Sequence, residues 1–230
     1  MRGIVLDPEI LAAGILGRAR PRRLLGLLAY GRWSEYAHLL GPAEEALIRE
    51  ETGNRGQRGG PSTDEMIELA TNRTAALQEV LPYGPPNDLV LVTSTRIHDA
   101  VVDRMQLARE SEPALRGVTD IEDRARRILA FLSAVIVGDI GGDYGRYETL
   151  RDELVYVAAT TSSPLVTDDS FLAPRDGRMW RHTASVGGRP AFAVTFWTFV
   201  DDHIDEASAG LDDVPYNLLE LAMRPWKGAD

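Results

Sequence analysis

The sequence predicts an α/β domain built on a mainly parallel sheet, and three observations carry that expectation. Short, continuously apolar runs recur along the chain, as in strands buried on both faces. Segments with helical spacing separate them, as parallel strands require, because a tight hairpin cannot return the chain to the same end of a sheet. Finally, acids recur where these strands end, at Asp7, Asp139 and Asp168-Asp169, with Thr93-Ser94 ending another. In open α/β sheets ligands gather beyond the carboxyl ends of the strands, so these positions define the candidate site. The expected architecture is a three-layer α/β/α sandwich around a mainly parallel five-stranded sheet, forming a single domain over residues 1–230.

GIVLD (3–7) is the first strand, stopped by Pro8, which cannot donate to a ladder. A helix follows to about Leu16. RRLLGLLAYGRW then places Leu24, Leu25, Leu27 and Leu28 at helical spacing, with Gly31 as a C-cap. Residues 33–87 read as a helical insertion. Its two helical stretches, GPAEEALIREETG and STDEMIELATNRTAALQEVL, flank a flexible Gly-rich loop at 53–61.

DLVLVTS (88–94) is the second strand, and Ser94 or Thr95 caps the helix TRIHDAVVDRMQLARE. On that helix Ile97, Val101, Met105 and Ala108 share one face, while Asp99 and Asp103 share another. A helix around IEDRARRILAFLS leads into the third strand, AVIVGD (134–139). ETLRDELVYVAATTSS is helical, SPLVTDD holds the fourth strand, PAFAVTFWTFV holds the fifth, and YNLLELAM reads as a closing helix. The aromatic cluster Phe192, Phe196, Trp197 and Phe199 around the fifth strand reads as core packing.

Composition narrows the chemistry. There is no cysteine, which removes thiolate metal sites and Cys nucleophiles. His38, His98, His182 and His203 show no metal-ligand spacing, and no nucleophile elbow or phosphate loop is present. The opening MRGIVLDPEI enters a strand pattern at once, and no apolar run reaches bilayer-spanning length, so a cytoplasmic protein without membrane attachment is expected. A net charge of −10 argues against a general nucleic-acid coat protein. Lys227 is the only lysine, and the arginines include the cluster Arg18, Arg20, Arg22 and Arg23.

Carboxylates gathered at one sheet end repel one another and call for a compensating cation. Hard oxygen ligands without Cys or a His pair favour Mg²⁺ or Mn²⁺, which points to phosphoryl chemistry.

The ordered segments resemble the PIN-domain nucleases. GIVLDPEILAAGILG is similar to that family's opening strand, acid and helix, and PRRLLGLLAYGRW to its second helix. LVLVTSTRIHDAVVDRM resembles its strand-Ser-helix segment, and RDELVYVAATTSSPLVTDDSFL its later acidic helix and "LVT-x-D" strand end. FAVTFWTFV resembles its final strand. The resemblance implies a metal-dependent endoribonuclease with catalytic and metal-binding acids at Asp7, Asp99, Asp152 and Asp169. It places Asp168 in a variable slot and leaves Asp103, Glu44 or Glu45 as alternatives for the second acid. Thr167 and Ser94 stand where the family holds metal-bound water or phosphate. Pro8 replaces a hydroxyl residue of the family pattern, and Glu9 replaces an Asn and adds a further acid. Arg18, Arg20, Arg22 and Arg23 would hold the RNA backbone.

Two other readings compete. IVLDPEI, LVLVTST and IVGDIGGD resemble the three marks of HAD-type phosphatases, although Glu9 replaces the second Asp and no lysine lies between the later marks. A PIN-like fold with a degraded acid set would instead serve as a binding or regulatory module, including as a homodimer. A toxin–antitoxin role would add a basic antitoxin-like protein partner, complementary to the acidic site.

Overall fold

The computed structural model describes residues 2–36, 89–136 and 147–203. The chain begins with β1 (Arg2–Leu6), α1 (Pro8–Ile15) and α2 (Ala19–Tyr36). The second block comprises β2 (Leu89–Thr93), α3 (Thr95–Ser111), α4 (Ile121–Leu132) and β3 (Ser133–Ile136). The third holds α5 (Leu150–Thr161), β4 (Leu165–Thr167), β5 (Trp180–Thr183), β6 (Pro190–Thr195) and α6 (Phe196–His203). The expected Gly-rich loop, Glu44, Glu45, His38, Asp139 and the closing helix lie outside the described residues, as does nearly all of the 33–87 insertion.

The strands form one sheet in the order β3-β2-β1-β4-β6-β5. The first five of that row run parallel, which is the expected central sheet. β5 adds a sixth strand, antiparallel to β6 at the edge. Its sequence, Trp180 to Thr183, is exposed or only half-buried throughout, so it lacks the apolar run that marks the other strands.

β1 lies between β2 and β4, and its Ile4, Val5 and Leu6 are essentially inaccessible. Each such side chain contributes about 1.5–3 kcal/mol of burial free energy. From β1 the chain steps through β2 to β3, then crosses back to β4. Right-handed crossovers put the returning helix α5 on the sheet face opposite α1–α4. There α5 packs across β1, β2, β4 and β6, giving helices on both faces and an arrangement compatible with three layers. The order reverses between β1 and β4, so the carboxyl ends of these two strands flank the switch point of the sheet.

Local sequence explains most boundaries. Asp7 caps α1 and Pro8 occupies its first turn, where a missing N–H costs nothing. Gly14 lets α2 approach α1, since a Cβ there would lie 2.5 Å from Leu25 Cδ1 and 3.0 Å from the Pro21 carbonyl oxygen. Gly31 does not end α2; the helix runs on to Tyr36, because a glycine is tolerated inside a helix whose buried leucines hold it. α4 buries Ile121, Ala125, Ile128, Leu129 and Leu132, one stripe of an amphipathic helix. The final departure is at Phe196. The apolar run AFAVTFWTFV stops being a strand at Thr195, whose hydroxyl accepts from the Thr198 N–H at 3.2 Å and caps α6. Among the described residues, no helix is long and apolar enough to cross a membrane.

Candidate functional site

Asp7 is the first residue beyond β1 and is buried. Its N–H still joins the ladder, donating to the Val166 carbonyl at 3.0 Å, while its own carbonyl accepts the first N–H groups of α1. The carboxylate is held on both sides. Oδ1 accepts from the Glu9 N–H at 2.9 Å, and Oδ2 accepts from the hydroxyl of Thr167. Thr167 ends the neighbouring strand β4 and is fully buried. Its oxygen in turn accepts from the Asp169 N–H at 3.0 Å. One threonine thus ties the end of β1 to the turn after β4.

That turn distributes two acids differently. Asp169 accepts from the Phe171 N–H at 2.9 Å through Oδ1, and its Oδ2 pairs with Arg151 of α5. Asp168 is exposed, yet its carboxyl is pushed above the usual range, first by desolvation against the protein. The negative charges of Asp7 and Glu9 push the same way, whereas Arg175 and the Phe196 N–H oppose them. Asp168 thus feels both acids, but Arg175 more strongly than either. Glu9 is also paired with Arg104 of α3 at 3.0 Å.

The other expected ligands have different surroundings. Asp152 lies in the first turn of α5, where its N–H donates to the Thr149 hydroxyl at 3.3 Å and its Oδ2 accepts from that hydroxyl at 3.2 Å. The α5 side chain that meets Asp169 is Arg151, one residue earlier. Asp99 and Asp103 are exposed on α3. Ser94 is buried, and its hydroxyl accepts from the Ile97 N–H at 3.3 Å as the cap of α3. The structure joins Asp7, Thr167 and the backbone N–H groups of Glu9 and Asp169, with Asp168 next to Thr167 in sequence. Ser94 and Asp152 are engaged in the first turns of their own helices instead.

The arginine cluster also divides. Arg18 pairs with Glu112 at 3.6 Å. Arg20 lies 3.9 Å from Asp201 of α6, with its guanidinium carbon 4.3 Å from the Trp197 ring centroid. Arg22 and Arg23 are half-buried beside the leucines of α2. Among the histidines, His98 Nε2 is 2.9 Å from the Ser133 hydroxyl, and burial lowers its pKa despite the neighbouring Asp99. His182 Nε2 lies 2.7 Å from the Leu172 carbonyl oxygen. Both have structural partners.

Sequence reading did not single out Arg151, Phe171, Arg104 or Arg175. Arg151 spans two of these features, since its guanidinium carbon also lies 4.5 Å from the Phe171 ring centroid. The signal for Phe171 was present, as an aromatic two residues beyond an acidic strand end. The expected aromatic core cluster splits: Phe196 and Phe199 are buried, whereas Trp197 and Phe192 are exposed.

Among the described residues, no group of three or more His, Asp and Glu side chains is placed so that it could hold a metal ion. The donor set that suits a hard cation is smaller. Asp7 and Asp168 follow the ends of neighbouring strands, and each carboxylate oxygen has lone pairs beyond those its hydrogen bonds use. Mg²⁺ is commonly held by one or two carboxylates, completed by waters and substrate phosphate oxygens. Asp169 and Glu9 already have arginine partners and would have to give them up to join. Comparison of the chain with protein-family models, curated proteins and solved structures finds no match.

Proposed function

We propose that this chain is a PIN-like, Mg²⁺- or Mn²⁺-dependent endoribonuclease whose cation site is built on Asp7 and Asp168. The observation that supports the reading is the buried Asp7 carboxylate at the switch point of a parallel sheet, tied by Thr167 to the neighbouring strand end that carries Asp168 and Asp169. A cation there would relieve like-charge repulsion, and when bound it supplies a polarised water and neutralises charge developing on a phosphate. The protein's part is positional. Thr167 fixes the Asp7 carboxylate from the neighbouring strand, and the α1 cap fixes it from the other side. Asp168 remains exposed toward an incoming phosphate.

Relative to the ligand set implied by family resemblance, this reading keeps Asp7 and moves Asp168 into a ligating role. Asp169 becomes a residue that organises the turn, and Asp152 a first-turn partner of the Thr149 helix cap. Its test is Mn²⁺ titration by calorimetry together with cleavage of single-stranded RNA. Asp7→Asn and Asp168→Asn are expected to abolish both, and Asp152→Asn to leave both near wild type. Cleavage persisting in Asp7→Asn and Asp168→Asn together would overturn the assignment.

A second reading is a binding or regulatory module of the same fold without turnover. The Arg151–Asp169 pair favours it, because a cation of the protein's own occupies the acid of the "LVT-x-D" strand end. That reading expects RNA or a basic protein partner to bind with no dependence on divalent metal.

A further inference from the structure

Two exposed aromatic rings follow the ends of adjacent strands at the carboxyl end of the sheet, and each has an arginine laid over it. Phe171 follows Asp169 by two residues in the turn after β4 and is 76% exposed. Its ring faces the guanidinium of Arg151, the same group that pairs with Asp169. Trp197 lies two residues beyond the end of β6, is 47% exposed, and faces the guanidinium of Arg20. β4 and β6 are adjacent and parallel, with Thr167 opposite Thr195, so their ends are about 4.8 Å apart. Asp168 directly follows Thr167 at the end of β4. Both rings therefore follow the carboxyl ends of neighbouring strands, with Asp168 and Asp169 in the same turn as Phe171.

Neither exposed ring is explained by core packing. Burying an aromatic is what makes it stabilising, and a ring that is three-quarters exposed forgoes most of that gain. Phe196 and Phe199, from the same segment as Trp197, do enter the core and show what packing there demands. A guanidinium over one side of an exposed ring leaves the remaining ring surface to solvent and adds positive charge beside it. Aromatic faces combined with arginines suit one ligand class well: unpaired nucleotides, whose bases stack and whose phosphates meet the cations. On a protein of net charge −10, Arg151 and Arg20 bring guanidinium groups to the two rings, each also paired with an acid, Asp169 and Asp201.

We propose that Phe171 and Trp197 are base-stacking platforms that hold a single-stranded polynucleotide across the ends of β4 and β6, beside the Asp168-Asp169 turn. The proposal rests on the nuclease reading for its location and extends it to substrate form. A duplex keeps its bases stacked on each other and cannot offer them to isolated rings, so the site selects unpaired strands.

The test is fluorescence anisotropy of labelled seven-nucleotide RNA and DNA single strands, and of the matching duplex, with full-length protein in EDTA at low salt. At least one single strand is expected to bind, and to bind more tightly than the duplex. Phe171→Ala and Trp197→Ala should each weaken it by about 5- to 150-fold. Trp197→Phe and Phe171→Tyr should restore most of the affinity, and Phe192→Ala, an exposed ring on the body of β6, should leave it unchanged. Circular dichroism of each variant separates loss of binding from loss of fold. RNA binding alone, DNA binding alone, or both would support stacking and identify the sugar preference. Duplex binding equal to single-strand binding, no binding of either strand, selective binding of an arginine-rich peptide instead, or unchanged affinity in both alanine variants would overturn it. The two readings fail separately. Ring-dependent binding without Mn²⁺-dependent cleavage sinks the nuclease and leaves the platforms, whereas cleavage with unaltered affinity in both alanine variants sinks the platforms alone.

Discussion

The hydroxyl of Thr167 donates to Asp7 Oδ2 across 160 positions of sequence, joining the ends of two adjacent strands on either side of the sheet's switch point. The same oxygen accepts from the Asp169 N–H, so Thr167 satisfies a buried carboxylate and organises the acidic turn at once. Thr167→Val keeps the shape but removes both functions. It leaves a buried carboxylate oxygen and a backbone N–H without this partner, an expected loss of about 2–4 kcal/mol. Thr167→Ser keeps the hydroxyl and should cost well under half of that. Urea unfolding of the two variants checks this, and equal stabilities would show that the methyl group rather than the hydroxyl matters.

The strand ends were legible in sequence because each combines a buried apolar run with a polar terminus. Asp7 and Thr167 are polar residues at the ends of runs otherwise composed of Val, Leu and Ile. What sequence did not show was which neighbour each acid would meet. Arg151 and Asp152 are adjacent on α5, and a helix turns by about 100° per residue, so a one-residue error changes which one faces Asp169. Tertiary geometry decided that Arg151 does. The start of α6 was hidden for a related reason: the apolar run continues through Phe199, and only the cap at Thr195 marks the change from strand to helix. β5 left no hydrophobic signal because an edge strand with exposed side chains needs none.

Asp168 predicts a pH dependence of stability. Its folded-state pKa lies above the ordinary value of 3.8, with desolvation the leading cause. A carboxyl raised in the folded state favours the proton there, so its ionisation costs stability as pH rises through 3.8 toward the raised value. Below 3.8 the acid is protonated in both folded and unfolded chains and contributes no difference. Asp168→Asn removes the penalty while retaining an acceptor for the Phe196 N–H. The melting temperature of Asp168→Asn should therefore exceed that of wild type at pH 7, and the advantage should shrink as pH falls through the raised value toward 3.8 and be absent below it. An advantage that grows on acidification would show that the wild-type carboxylate is instead stabilised by Arg175.

Arg151→Gln tests whether the arginine competes with a cation. The substitution releases Asp169 from its ion pair and leaves a neutral side chain on the exposed start of α5. Under the nuclease reading a further carboxylate becomes available, and Mn²⁺ affinity should rise by about 3- to 10-fold, since each added hard oxygen ligand strengthens such sites. RNA affinity in EDTA should fall in the same variant, because the cation beside Phe171 is lost. Opposite movements of metal and RNA affinity are the expected signature, measured by calorimetry and anisotropy on one preparation. Unchanged Mn²⁺ affinity would show that Asp169 lies outside the reach of the cation.

The packing that aims Asp7 can be tested away from the charges. α1 starts at Asp7 and is held against α2 where Gly14 faces Leu25 and the backbone of Pro21. Alanine is intrinsically the better helix former by about 1 kcal/mol, so helix propensity alone predicts that Gly14→Ala stabilises. Geometry predicts the reverse. The new Cβ would sit 2.5 Å from Leu25 Cδ1 and 2.8 Å from Leu25 Cγ, and Leu25 is fully buried. Overpacking of that kind costs about 1–3 kcal/mol, which outweighs the propensity gain over most of that range. Separating the two helices would also tilt the α1 cap and loosen the Glu9 N–H from Asp7 Oδ1. The expected result is a lower melting temperature together with weaker Mn²⁺ binding. A Gly14→Ala protein more stable than wild type would mean that α2 can slide on α1 without cost.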